Sequence, residues 1–357
     1  MSIVTFIAGL MALVAGAEAL VRGASRLSLS WGISPLVVGL TVVAFGTSAP
    51  EMAVSVGAAA QGATEVAVGN VVGSNVFNVL FILGLSALIA PLVVHVQVIR
   101  QEVPLMLAAG LVLVAMALDG VISRPEAALL LALMLGYTIF LIVQARRAPA
   151  QEQSEFAADA PASQWDRHWS VQILLVLVGL AALVLGSRWL VQAATAFASA
   201  LGVSDVVIGL TIVAAGTSLP EVAASVTASL RGQRDIAVGN VVGSNLFNIL
   251  GCLGLAGVVA DGGLPIPEAV RNFDLWVMMA TLLACLPIFM TDRQIARWEG
   301  GVLLAYYGAY TAYLVLAAQH HEALAAYSTV MMSFVIPLTI VTLAVMVIRR
   351  PSSSRSH

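Results

Sequence analysis

Hydrophobic residues run along the chain in long blocks that recur from end to end, with polar residues gathered in the intervals between them. A helix needs roughly 17 to 25 residues to cross a hydrocarbon core. Blocks of that length predict spans near 3–21, 33–60, 67–90, 102–118, 125–143, 171–197, 203–230, 237–260, 273–290, 298–317 and 327–348, eleven helices in all. Two spans break the pattern. "GTSAPE" at 46–51 and "GTSLPE" at 216–221 set a helix-breaking proline and then a glutamate in the middle of an otherwise oily run.

Composition decides the solvent. The 357 residues are 60% hydrophobic and 10% charged, and the mean hydropathy is +0.98. A water-soluble domain cannot hide that much apolar surface, so the chain reads as an all-α polytopic membrane protein whose partner is the lipid bilayer. All sixteen basic residues are arginine and the net charge is −3, which offers nothing to nucleic acid. Cys252 and Cys285 fall inside spans and read as small core residues, with no disulfide framework. The opening "MSIVTF" lacks the basic leader of a signal peptide, so the first span reads as a mature helix. Positive charge accumulates in cytoplasmic loops. Placing the N-terminus outside puts thirteen arginines on the cytoplasmic side and leaves only Arg124, Arg188 and Arg271 near the outer face. The C-terminus is then cytoplasmic, and the polar stretch 146–170 reads as a poorly ordered cytoplasmic linker.

Shifting the sequence by 170 residues lays 39–80 over 209–250 with 27 of 42 positions identical. Five spans precede the linker, and an odd number of crossings makes the second copy enter from the opposite face. Two inverted five-helix repeats with Gly- and Pro-interrupted helices in matching positions are the pattern of a secondary transporter, whose site lies where the repeats meet at the bilayer midplane. The expected organisation is a first repeat over 1–145, the linker 146–170, a second repeat over 171–318, and one extra C-terminal helix at 327–348.

Pro50 has no N–H, so the carbonyl of Gly46 loses its helical partner. The carbonyls of Ala44, Gly46 and Thr47 are expected to meet something other than lipid, and a bound cation is one such partner. Ser48, three residues ahead of Glu51, is a plausible cap and fits a capping box, which is the ordinary alternative. A carboxylate at mid-membrane costs at least roughly 2.5 kcal/mol, however, and that cost recurs at Glu51 and at Glu221. Inversion brings the two broken spans face to face, so the two acids are expected to converge in a site that needs cations or protons.

The span that follows adds polar groups. In "GNVVGSNVFN", Asn70, Ser74 and Asn78 share one helix face at i, i+4, i+8, with Gly69 and Gly73 placed for close packing. Asn240, Ser244, Asn248, Gly239 and Gly243 repeat the arrangement. Asn70 and Asn240 suit bracing more than ligation. Candidate donors are the carboxylates of Glu51 and Glu221, the hydroxyls of Thr47, Ser48, Ser74, Thr217, Ser218 and Ser244, the amide oxygens of Asn78 and Asn248, and freed carbonyls. Every one is an oxygen. The lack of His and Cys in either motif argues against zinc and copper, while Ca²⁺, with about six to eight oxygen ligands, suits such a cage better than Mg²⁺. Na⁺ can use the same oxygens, and competition for one ligand cluster couples two ions in exchange. Elsewhere, Glu18, Arg22 and Arg188 read as interfacial charges, Glu65 and Asp235 as solvated loop carboxylates, and His95, His320 and His321 as surface residues. Neither a nucleophile with its base nor a His cluster lies at mid-membrane, so an enzyme is not expected.

The duplicated motifs "GTSAPE…GNVVGSNVFN" and "GTSLPE…GNVVGSNLFN" resemble the paired alpha repeats of the calcium/cation antiporter superfamily, specifically its prokaryotic sodium/calcium exchanger branch. The resemblance implies ten helices in two inverted halves with the N-terminus outside, in the plasma (inner) membrane. It implies exchange of extracellular sodium for calcium by alternating access, in which the first and sixth helices slide across the rest. Ca²⁺ and Na⁺ would be transported ions, with no cofactor. Carried over by position, Glu51 and Glu221 would bind both ions. The carbonyls of Ala44, Thr47, Ala214 and Thr217 and the side chains of Thr47, Ser48, Ser74, Thr217, Ser218 and Ser244 would complete a calcium position and flanking sodium positions, with Asn78 and Asn248 lining the centre. Position 248 is Asn where some exchangers have Asp, which makes potassium dependence unexpected and removes one potential proton carrier. Proton-coupled relatives place a glutamate after the second "GN", where this chain has "VVGSN", so Ca²⁺/H⁺ exchange is the second expectation. The eleventh span and the tail "RRPSSSRSH" lie outside the repeats, and no role beyond anchoring or association is expected of them. Oligomeric state is not legible in the sequence.

Overall fold

The computed structural model describes residues 2–147, 168–200 and 214–348. A long first helix, α1 (Ser2–Trp31), is followed by a bent pair, α2 (Pro35–Thr47) and α3 (Ala49–Ala60), which meet at 45°. Then come α4 (Thr64–Ile89), α5 (Val98–Ala117) and α6 (Arg124–Arg147). After the linker, α7 (Trp169–Ala200) is followed by α8 (Ala214–Thr217), α9 (Leu219–Leu230), α10 (Arg234–Val259), α11 (Val270–Met290), α12 (Arg297–Ala318) and α13 (Ala323–Ala344). Nine helices among the described residues are long and apolar enough to span a membrane, and α2 with α3 makes a tenth span. Of the second broken span, 214–230 is described; its expected first half, 203–213, and most of the expected linker lie outside the described residues.

Local chemistry sets the ends of these elements. Ser34 caps α2, its Oγ accepting from Val37 N at 3.3 Å, and Pro35 begins the helix with the φ it already prefers. α3 and α9 both stop at a left-handed glycine, Gly62 (φ +78°) and Gly232 (φ +74°). The amide after each glycine reaches back to the last turn, Ala63 N to Ala58 O at 2.9 Å and Gln233 N to Ala228 O at 2.8 Å, and so satisfies otherwise orphaned carbonyls. Glu65 and Asp235, expected in loops, sit instead in the first turns of α4 and α10. A carboxylate there complements the positive end of the helix dipole.

α1 and α7 are 30 and 32 residues long, well beyond the 3–21 and 171–197 that apolar content alone predicts. The extension of α1 runs past Arg22 because Ala24, Leu27 and Ser28 keep the helix-spaced buried face going. The two helices pack antiparallel along a glycine seam. A Cβ on Gly9 would stand 2.9 Å from Gly186 O, one on Gly16 2.9 Å from Gly179 O, and one on Gly23 2.9 Å from Gln172 O. Seven-residue spacing of Gly9, Gly16 and Gly23 holds all three on one line of backbone contact.

α4 and α10 form the interior, with 72% and 89% of their most apolar windows buried, against 6% for α12 and none for α13. Lipid is therefore left to the outer helices. α2 crosses onto α10, where Gly39, Gly239 and Gly243 let the backbones touch; a Cβ on Gly243 would be 2.7 Å from Leu40 O. A twofold relation runs through the molecule. Strand β1 (Leu92–Val93) pairs antiparallel with β4 (Gln294–Ile295), and β2 (Val121–Ile122) with β3 (Leu264–Pro265), each pair tying a loop of one half to a loop of the other. These strands, which the apolar blocks do not predict, satisfy backbone groups in interhelical turns. π-helical turns recur at matching places too, Asn78–Leu83 with Phe247–Cys252, and Val98–Glu102 with Val270–Asp274.

Candidate cation site

The two broken helices deliver their motifs to the interior from opposite directions. Ser48 and Ser218 stand at the breaks with near-identical backbone angles, φ −80° ψ 4° and φ −87° ψ 6°. Neither side chain makes the cap bond that the S-x-x-E spacing allows. The capping alternative is not realised, for a geometric reason: each hydroxyl turns away from its own helix and crosses to the other repeat. Ser218 Oγ donates to Glu51 Oε1 at 2.8 Å, and Ser48 Oγ donates to Glu221 Oε1 at 3.0 Å. Ala44 O is not the free carbonyl expected from Pro50, since it accepts from Ser48 N at 3.0 Å.

Glu51 and Glu221 are buried, at 0% and 1% exposure. Each keeps Oε2 buried and without a hydrogen-bond partner. The ion pairs Arg124–Asp261, Arg231–Glu18 and Arg271–Glu268 all lie away from the central acids. The interfacial Glu18 pairs across to Arg231, whose Nε donates to Oε2 at 2.9 Å.

Around the acids, Thr47 Oγ1 donates to Asn240 Oδ1 at 3.1 Å, and Thr217 Oγ1 to Asn70 Oδ1 at 3.5 Å. Asn70 and Asn240 turn their amide nitrogens to the broken helix of their own repeat. Asn70 Nδ2 reaches Ser55 Oγ at 2.9 Å and Glu51 O at 3.2 Å; Asn240 Nδ2 reaches Ser225 Oγ at 2.9 Å and Glu221 O at 3.5 Å. Each of these asparagines thus clasps elements of both halves. Ser74 Oγ lies 3.4 Å from Ser218 Oγ, while Ser244 Oγ is buried and unpartnered. Asn78 opens one of the two central π-helical turns and Asn248 is the second residue of the other, and Asn78 Oδ1 is likewise buried without a partner. π-helical turns of this kind concentrate at functional positions. Ala214 begins α8, next to Thr217.

Four residues went unread in the sequence. Ser55 and Ser225, one turn after the glutamates, receive the asparagine amides, and Asn75 and Asn245 lie beside the central pair. The signal for the serines was present, since i, i+4 from Glu51 and Glu221 puts them on the buried face.

Buried oxygens gathered here, with a partnerless carboxylate oxygen on each of Glu51 and Glu221, make an arrangement that attracts cations. The sodium/calcium exchanger protein family matches residues 1–143 and 171–316. A putative antiporter, CaxA of Alkalimonas amylolytica, is 39% identical over 309 residues, covering 85% of this chain and 95% of that one. The sodium/calcium exchanger MaX1 of Methanosarcina acetivorans is 32% identical over 334 residues, again covering 85% and 95%. A solved structure of the sodium-calcium exchanger NCX_Mj, soaked with Na⁺ and Sr²⁺, superposes with a TM-score of 0.74 at 30% identity over 87% of this chain and 97% of that one. The repeated motifs, the helical membrane fold with its inverted halves and the match over both halves agree, and the chain belongs to the sodium/calcium exchanger branch of the calcium/cation antiporter superfamily.

Proposed function

We propose that this antiporter exchanges Na⁺ for Ca²⁺ by alternating access, with Glu51 and Glu221 as the shared charged ligands. The observation that carries the reading is the set of buried oxygens without partners, Glu51 Oε2, Glu221 Oε2, Asn78 Oδ1 and Ser244 Oγ, gathered where the repeats meet. Oxygens held out of water with no donor to satisfy them favour a hard cation, and two carboxylates favour a divalent one. Thr47, Ser48, Thr217, Ser218, Ser74 and Asn248, with the carbonyl of Ala214, are the neutral ligands around them, and Ala44 O, already accepting from Ser48 N, has only its second lone pair to offer. Two or more Na⁺ ions bring comparable charge to the same oxygens, so occupancy by one cation excludes the other and the two fluxes are coupled.

Alternation follows from the architecture. Inverted repeats can exchange conformations, and a site at their interface then faces each side in turn. The α1–α7 pair suits the moving part, because at Gly9, Gly16 and Gly23 the seam brings backbone close to backbone. Arginine distribution supports an N-terminus outside and a C-terminus in the cytoplasm of a plasma (inner) membrane. Sodium is favoured over protons as the driving ion because the central position 248 is an amide, which cannot carry a proton through the cycle.

Proteoliposomes loaded with Na⁺ test this directly. An outward Na⁺ gradient at equal pH is expected to drive ⁴⁵Ca²⁺ uptake. Uptake that ignores Na⁺ and follows an imposed pH gradient would replace the reading with Ca²⁺/H⁺ exchange.

A further inference from the structure

Helices α4 and α10 cross at the centre of the molecule, and at the crossing stand four buried asparagines in two twofold-related pairs. Asn75 and Asn78 come from α4, Asn245 and Asn248 from α10, and all are at most 1% exposed. One bond joins them. Asn78 Nδ2 donates to Asn245 Oδ1 at 3.1 Å. The twofold image of that bond would run from Asn248 Nδ2 to Asn75 Oδ1, and it is not made. Both of those atoms are buried with no partner. The left-over donor and the left-over acceptor are therefore of matching type and sit on the two helices that would have to bring them together.

The other bonds of these side chains show what the asymmetry does. Asn78 spends its amide nitrogen on Asn245, which leaves its Oδ1 unpartnered and available to the site. Asn248 is turned the other way, with Oδ1 accepting from Cys252 Sγ at 3.6 Å and Nδ2 unused. Asn75 Nδ2 folds back onto Val71 O at 2.7 Å, and Asn245 Nδ2 contacts Met106 Sδ at 3.6 Å. Only one of the two central amides presents a free oxygen, and the neighbour holding its nitrogen decides which.

We propose that Asn75 and Asn245 are positioning residues that form alternate amide bridges, Asn245 to Asn78 in the state seen here and Asn75 to Asn248 in the oppositely facing state. This rests on the antiporter reading. When the repeats exchange conformations, one bridge opens as its image closes. Each state then has one bridge made and one matched donor–acceptor pair unmade. An element whose two arrangements are so nearly equivalent is bistable, so neither state is a trap. The bridge also passes the role of oxygen ligand from Asn78 to Asn248 and back.

Asn245→Ala removes the acceptor that the present state uses and shifts the equilibrium toward the opposite state. Asn75→Ala removes the acceptor that the opposite state uses and shifts it back. The two variants act with opposite sign, and the double variant cancels. Calcium half-saturation would be measured from each face separately, in right-side-out and inside-out vesicles. Each single variant is expected to move the ratio of the two values by about three- to tenfold, the worth of one hydrogen bond, in opposite directions. Equal changes on both faces, or the same direction in both variants, would overturn the proposal, since a merely structural role predicts those. If the alanine variants do not fold, Asn245→Ser and Asn75→Ser keep a small polar group too short to bridge. Hydrogen–deuterium exchange of purified protein reads the same equilibrium without any transported ion. Opposite changes in protection along α4 and α10 support the bridges, and parallel changes refute them. Absence of sodium-driven flux in the unsubstituted protein would count against the antiporter reading alone.

Discussion

Glu51 and Glu102 are both fully buried carboxylates in the same half of the chain, and their surroundings differ in one respect. Glu102 has both oxygens filled, Oε1 by Gln97 Nε2 at 3.0 Å and Gln101 Nε2 at 2.7 Å, and Oε2 by Tyr137 OH at 2.7 Å. Its counterpart Asp274 takes Tyr310 OH at 2.7 Å. Those acids brace helices. Glu51 and Glu221 each have one oxygen tied by a serine of the opposite repeat and one left open. Glu51→Gln or Glu221→Gln keeps the shape and loses the charge. Either is expected to weaken Ca²⁺ binding by about 2–3 kcal/mol, roughly 30- to 150-fold, with the protein still monodisperse in detergent. Isothermal titration alongside ⁴⁵Ca²⁺ flux checks this, and unchanged binding in both variants would remove the two glutamates from the site. Ser48→Ala and Ser218→Ala each strip one neutral donor from a carboxylate, and about 1–2 kcal/mol, a five- to thirtyfold loss, is expected.

Among the helices, the α1–α7 seam depends on residues with no side chain. A Cβ on Gly16 would meet Gly179 O and Leu183 N at 2.9 Å, both of them backbone atoms that cannot swing aside. Gly16→Ala therefore forces the helices apart, at a cost of about 1–3 kcal/mol. Gly136 in α6 has nothing within 4 Å of the corresponding Cβ, and there alanine gains about 0.5–1 kcal/mol of helix preference. Thermal unfolding in detergent is expected to fall for Gly16→Ala and to hold or rise for Gly136→Ala; the reverse order would contradict the seam. The glycines themselves were visible in the chain. Their partners were not, because nothing local tells Gly16 that it will face Gly179.

For the molecule as a whole, α13 is the outlier. The family match ends at residue 316, before this helix begins. Its described contacts are made against the outside of the second repeat, through Tyr327 OH to Ala309 O at 2.7 Å and through Tyr306 to Thr339. It buries none of its most apolar window. Ending the chain after Ala318 is expected to leave sodium-driven Ca²⁺ uptake in place, because none of the proposed ligands lies beyond Asn248. Loss of flux from a truncated protein that still folds would show that α13 supports the working cycle.

Membrane character, the duplication, the glutamates at each break and ten of the eleven expected spans were legible from residue order; of the other, 203–230, only 214–230 is described. Burial in lipid is a property of run length and composition, and a repeated motif needs no coordinates to be seen. What the linear order could not decide was where each polar group spends its hydrogen bonds. Ser48 has the spacing to cap its own helix, yet its hydroxyl serves Glu221, 173 positions away. Of two asparagine pairs with the same sequence, only Asn78 and Asn245 are joined. Local spacing ranks the partners a side chain can reach along its own helix. Only the crossing of two inverted halves brings in the competitors from the other repeat, and with water excluded from the interior those distant partners win.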